Sequence, residues 1–154
     1  MSEWKRRTKE VPVDGLPSEF TSAMQRHIEQ YNLGPILSDV LMCVLTDSEK
    51  SKKGLVGKTE TVQLAAIVTP RWLVWTVNQL NAKMTVLSAQ LIHVTVQDYA
   101  QTPFAKMVSD SGVEVSGTFT DASEAASAFI GLEENAAGQK FRQLLINAAA
   151  DAKK

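Results

Sequence analysis

The chain is poor in several things, and each shortage closes off a class of function. One cysteine, Cys43, in 154 residues cannot form an internal disulfide, which fits a reducing compartment. No apolar run approaches the roughly 18 residues that span a bilayer, and the charged start MSEWKRRTKE has no apolar segment behind it, as a secretory signal needs. These readings predict a soluble, cytoplasmic protein. Charge of either sign is balanced, with a formal net of -1, where a nucleic-acid binder carries a clear basic excess; no nucleic-acid partner is expected.

Catalytic constellations are equally scarce. The two histidines, His27 and His93, have no HExxH, HxH or carboxylate cluster beside them, so no metal site is expected. His27 falls on a helical stripe and His93 inside Leu91-Ile92-His93-Val94, and both positions suit structural, hydrogen-bonded histidines. Cys43 lies in an apolar run, where a thiol acts as a small hydrophobe. Gly54-Leu55-Val56-Gly57-Lys58-Thr59 suggests a phosphate loop, but that motif needs four residues between its glycines. Here there are two, and Thr61–Val68 reads as strand rather than as the helix that must hold the phosphate. Gly54 and Gly57 are turn glycines. No enzyme, cofactor or metal is predicted.

What the sequence does contain is an ordinary core-forming composition, 44% apolar and 21% charged, enough for one domain. Residues 1–15 read as a loose arm whose Lys5, Arg6, Arg7 and Lys9 offer a contact for an acidic partner, with Trp4 as an anchor. Within residues 16–35, Pro17 and Glu19 suit a first helical turn. Phe20, Met24, His27, Ile28 and Tyr31 recur at helical spacing from 17 to 33, and Gly34-Pro35 ends the run. From residue 36 the period changes. Ile36–Thr46, Thr61–Thr69, Trp72–Val77, Met84–Leu87, Leu91–Val96, Phe104–Val108, Val113–Phe119 and Ala125–Leu132 are short strand candidates. Residues 47–60 and 79–83 are loops, and Ser109–Gly112 is a tight turn. Trp72 and Trp75, three apart, face opposite sides of a strand. After Glu133-Glu134-Asn135, Phe141, Leu144, Leu145 and Ala148 form the stripe of a closing helix. Strands in series without helices between them predict antiparallel pairing, hence a mainly β domain, α+β by content.

Residues 49–60 hold Lys50, Lys52, Lys53 and Lys58 against Glu49 and Glu60. Lysines on such a loop attract an anionic headgroup or an acidic partner. Arg71, in the Thr69-Pro70-Arg71 turn, is the other candidate binding residue.

The stretch Ile67-Val68-Thr69-Pro70-Arg71-Trp72-Leu73-Val74-Trp75, with a charged loop before it, short strands after it, Gly112–Gly117 as a late strand and a closing amphipathic helix, resembles bacterial pleckstrin-homology-like (PH-like) domains. The resemblance covers about residues 36–150. It implies a bent, seven-stranded antiparallel barrel over residues 36–152, plugged at one end by the C-terminal helix, with residues 16–35 as an extra helix. It also implies a non-catalytic role in protein contacts or self-association. Phosphoinositide binding in that family uses a lysine after the first strand, near Lys50, Lys52 and Lys53, and an Arg/Lys-x-Arg pattern on the second. Thr59–Gln63 has no arginine, so the lipid alternative rests on the lysine loop alone.

Overall fold

The computed structural model describes residues 4–51, 59–79, 83–120 and 122–154. Eight strands and two longer helices follow one another as β1 (Trp4–Glu10), α1 (Ser18–Gln30), β2 (Met42–Ser51), β3 (Thr59–Val68), β4 (Trp72–Gln79), β5 (Thr85–Gln90), β6 (Val94–Asp98), β7 (Gly112–Gly117), β8 (Ala126–Gly131) and α2 (Ala136–Asp151). All pairing is antiparallel. The strands form a five-stranded sheet in the order β1 to β5 and a three-stranded sheet β6-β7-β8. The domain is mainly β, as expected. The expected closed barrel over residues 36–152 is not seen, because neither sheet closes on itself.

The apolar runs of β2, β3 and β4 are continuous rather than alternating because both faces of the large sheet are covered, which removes the polar positions a solvated face requires. On one face Val44, Ala66, Leu73 and Trp75 pack with Val113, Val115 and Ile130 of the small sheet and with Phe141 and Leu145 of α2. On the other, Cys43, Leu45, Ala65, Ile67 and Val74 pack with Leu16, Phe20, Met24 and Ile28 of α1 and its lead-in. Trp75 is buried on the first face and Trp72 lies half-buried beside the second core.

α1 ends sooner than Gly34-Pro35 suggests. Asn32 takes φ 54, Leu33 N–H donates to Ile28 O at 3.0 Å and Asn32 N–H to Glu29 O at 3.3 Å. This Schellman closure is open to asparagine because its short polar side chain tolerates the left-handed region. α2 starts at Asn135, whose side chain accepts from Gly138 N–H at 2.9 Å. At its far end Lys153 Nζ donates to Ala149 O, Leu91 O and Val94 O, fixing the helix to the corner that leads into β6.

Several expected elements differ. Of Ile36–Thr46, only the part from Met42 is strand; residues 47–51 and 59–60, read as loop, extend β2 and β3; and residues 91–93, read as strand, are a 3-10 turn. Residues 4–10, read as an arm, pair along their whole length with β2. Their charges mark an edge strand, where the partner strand supplies one side and solvent most of the rest. Phe104–Val108, read as a strand, is instead a 3-10 turn from Pro103 to Lys106 and its continuation. Pro103 begins that turn, where its missing N–H costs nothing.

Candidate functional site

β1 organises one end of the molecule. Its Thr8 is buried and its hydroxyl lies 2.8 Å from that of Thr46 across the strand pair. On the open edge, Thr8 N–H donates to Glu133 Oε1 at 2.9 Å, and Glu133 N–H donates to Thr8 Oγ1 at 2.8 Å. Asn135 Nδ2 donates to Thr8 O and to Glu133 Oε1, both at 2.8 Å. The segment between β8 and α2 thus satisfies, with side chains, backbone groups that another strand would otherwise pair.

Two residues earlier, Arg6 points the same way. Its Nε and Nη2 hold the two carboxylate oxygens of Asp110 at 2.9 and 2.7 Å, and Nη1 donates to Ser48 Oγ at 2.7 Å. Both charged side chains are nearly buried, at 11% and 10% exposure. The guanidinium fork matches the carboxylate in plane, the geometry that makes such pairs strong. Gly131 leaves room here, because a Cβ at that position would displace the Arg6 guanidinium.

From Arg6 a row of rings leads outward. The guanidinium stands 5.0 Å from the Trp4 ring and 5.4 Å from Phe129. Lys50 Nζ is 5.7 Å from Trp4. Tyr99 meets Phe129 edge-on at 5.1 Å. Its hydroxyl donates to Val108 O at 2.7 Å and lies 3.3 Å from Phe104 O. The 103–108 turn held in this way exposes Phe104 (57%), Met107 (84%) and Val108 (58%) around Lys106.

Of the five candidate binding residues, Lys50 sits at this end. Lys52, Lys53 and Lys58 lie outside the described residues. Arg71 is at the β3–β4 turn, at the opposite end of the sheet. The ten residues of β3 separate the two ends by roughly 30 Å at the usual rise per residue, so Arg71 and Lys50 do not form one site. Thr69 builds the turn: its Oγ1 accepts from Trp72 N–H at 2.9 Å and Arg71 N–H at 3.3 Å. Arg71 is exposed between two open clefts of about 490 and 450 Å³. Each cleft also holds an exposed aspartate, Asp39 or Asp151, which offsets the attraction of the arginine for an anion. The segment after Lys58 is β3, so no helix begins where a phosphate loop would need one.

Other candidates for chemistry have structural settings. His27 Nε2 is 2.8 Å from Ser88 Oγ, which donates to Thr120 Oγ1 at 2.7 Å. A serine next to a histidine suggests a nucleophile, but Ser88 has no exposed surface for a substrate to reach. His93 is exposed at the end of a 3-10 turn. Cys43 is buried, and burial raises its thiol pKa to about 12. It is therefore a protonated, inert group at neutral pH. No group of potential metal ligands occurs among the described residues.

The aromatic end was not foreseen from the sequence. Arg6 and Asp110 are 104 positions apart, and only the fold joins them. The exposed turn had a readable signal, Pro103 before and Ser109-Asp110 after a short apolar run. No protein-family model matches the chain, and no curated protein or solved structure matches it either.

Proposed function

We propose that this chain is a non-catalytic contact domain of the PH-like type. Support comes from element order: from β2 onward, seven antiparallel strands are followed by a closing helix, with β1 and α1 as N-terminal additions. The observation that carries the contact role is the turn at 103–108. It exposes three neighbouring apolar side chains, while the Tyr99 hydroxyl bonds to its backbone. Exposed apolar patches that are held in shape mark interaction sites.

Three other routes to contact are taken up among the described residues. The apolar face of α1 packs on the domain's own sheet. The open edge of β1 is met at Thr8 by Glu133 and Asn135, and Ser88 O on the β5 edge accepts from Thr120 N–H at 2.8 Å. We therefore assign contact with a protein, a second copy included, to the turn. Sedimentation velocity of the full chain over a wide concentration range tests the self-association form. Reversible association that Met107→Ser weakens supports it, and a strict monomer overturns it. The second reading, contact with an anionic surface, is favoured by the position of Lys50 over Trp4 at the same end.

A further inference from the structure

We infer that the 103–108 turn is a membrane-docking element that enters the interfacial layer of an anionic bilayer. This rests on the contact-domain reading and names the partner. Three observations favour a bilayer over a protein surface. The first is the backbone of the turn. A loop that enters an apolar phase must bring its own hydrogen-bond partners. Here Thr102 N–H donates to Tyr99 O, Ala105 N–H to Thr102 O, and Met107 and Val108 N–H to Phe104 O. The carbonyls of Phe104 and Val108 take the Tyr99 hydroxyl, and Pro103 has no N–H to satisfy. Insertion leaves these groups paired.

The second is charge. From Thr102 to Ser109 the only charged residue is Lys106, and the next acid, Asp110, is held by Arg6. A lysine amid apolar side chains buries its methylenes and keeps its ammonium at the phosphate level. The third is the flank. Trp4, carrying Lys50 over its ring, lies one ring beyond Phe129 along the row that starts at Tyr99. An indole with a lysine over it at this end suits the headgroup region, and a cation there is drawn to anionic lipid.

The test is co-sedimentation of the full chain with vesicles of equal parts phosphatidylserine and phosphatidylcholine, against vesicles of phosphatidylcholine alone. The wild-type chain is expected to partition onto the anionic vesicles, and less so at high salt. The double substitution Phe104→Ser, Met107→Ser should lower that partition about tenfold or more. Its unfolding midpoint should match wild type, because both side chains are exposed. Ile92→Ser, at an exposed apolar position outside the turn, should leave binding unchanged. Lys50→Ala should weaken binding without making it independent of Phe104 and Met107. The inference is overturned if wild type stays in the supernatant with both vesicles. It is also overturned if the double variant sediments like wild type, which would assign binding to the lysine loop. Failure on vesicles combined with Met107-dependent self-association would make the partner a protein and leave the contact-domain reading standing. Failure in both assays would remove both.

Discussion

The two faces of the five-stranded sheet are covered in different ways. One face is closed by most of the remaining fold, with the small sheet and α2 packing around Trp75, Phe119 and Phe141. Trp75 and Phe119 meet edge-on at 5.4 Å. The other is closed by α1 and the segments beside it. The same strands supply both cores, so neither can be lost alone. A strand with apolar side chains on both sides has no soluble half-covered form, and the N-terminal helix is as much a part of the domain as the C-terminal one.

Removing residues 1–35 is the largest perturbation of that balance. It strips Cys43, Leu45, Ala65, Ile67 and Val74 of their cover and removes the partner of β2. The truncated chain is expected to aggregate on expression; a soluble, cooperatively unfolding product would show that the first core stands alone. Single truncations compare the faces more finely. Trp75→Ala and Phe20→Ala, one in each core and both fully buried, should each cost about 3–5 kcal/mol in chemical denaturation. A much smaller loss for Phe20→Ala would mean that the α1 face is loosely packed.

Next in size is the clamp that ties β1 to the small sheet. Arg6→Ala leaves Asp110 nearly buried without its partner and should cost about 3 kcal/mol or more. A double-mutant cycle with Asp110→Ala should recover much of that loss as coupling, and additive effects would count against a clamp. Smaller again is a pH effect on the α1 face. Cys43 titrates near 12 when folded, against an ordinary value near 8.5. An unfolded chain therefore releases this proton first, and stability should fall as pH rises from the unfolded value toward 12. Cys43→Ala should flatten that slope relative to wild type, and the folded thiol should stay silent to a thiol reagent at neutral pH. The smallest stability effect belongs to Met107→Ser, within about 0.5 kcal/mol, since that side chain touches water rather than either core.

What could be read in advance followed the same division. The apolar runs Ile36–Thr46, Thr61–Thr69 and Trp72–Val77 are long because β2, β3 and β4 within them are buried on both faces, and helical spacing located α1 and α2. Antiparallel pairing followed from strands in series. β1 was hidden because WKRRTKE buries only Thr8 fully among its side chains, and an edge strand stabilised by one neighbour leaves no apolar alternation. Phe104–Val108 misled for the opposite reason, being apolar yet exposed. Open sheets cannot be told from a closed barrel by strand count, since closure depends on pairing between distant strands. Of the candidate site, Lys50 and Arg71 were picked out by charge alone. That they sit at opposite ends depends on β3 running straight between them, and the ring row through Arg6 depends on contacts between segments far apart in sequence.

The clasp of Thr8 with Glu133 and Asn135 has a further consequence during synthesis. Its partners are separated by 125 and 127 residues, nearly the whole chain. β1 is made before β2 and can pair with it early, but its outer edge stays open until residues 133–135 have been made. The nascent chain therefore carries an unpaired, strongly charged border while the intervening residues are translated. Charge on an exposed border discourages pairing with other chains. Lys5, Arg7 and Lys9, which stay exposed in the finished molecule, then guard it while it is being built.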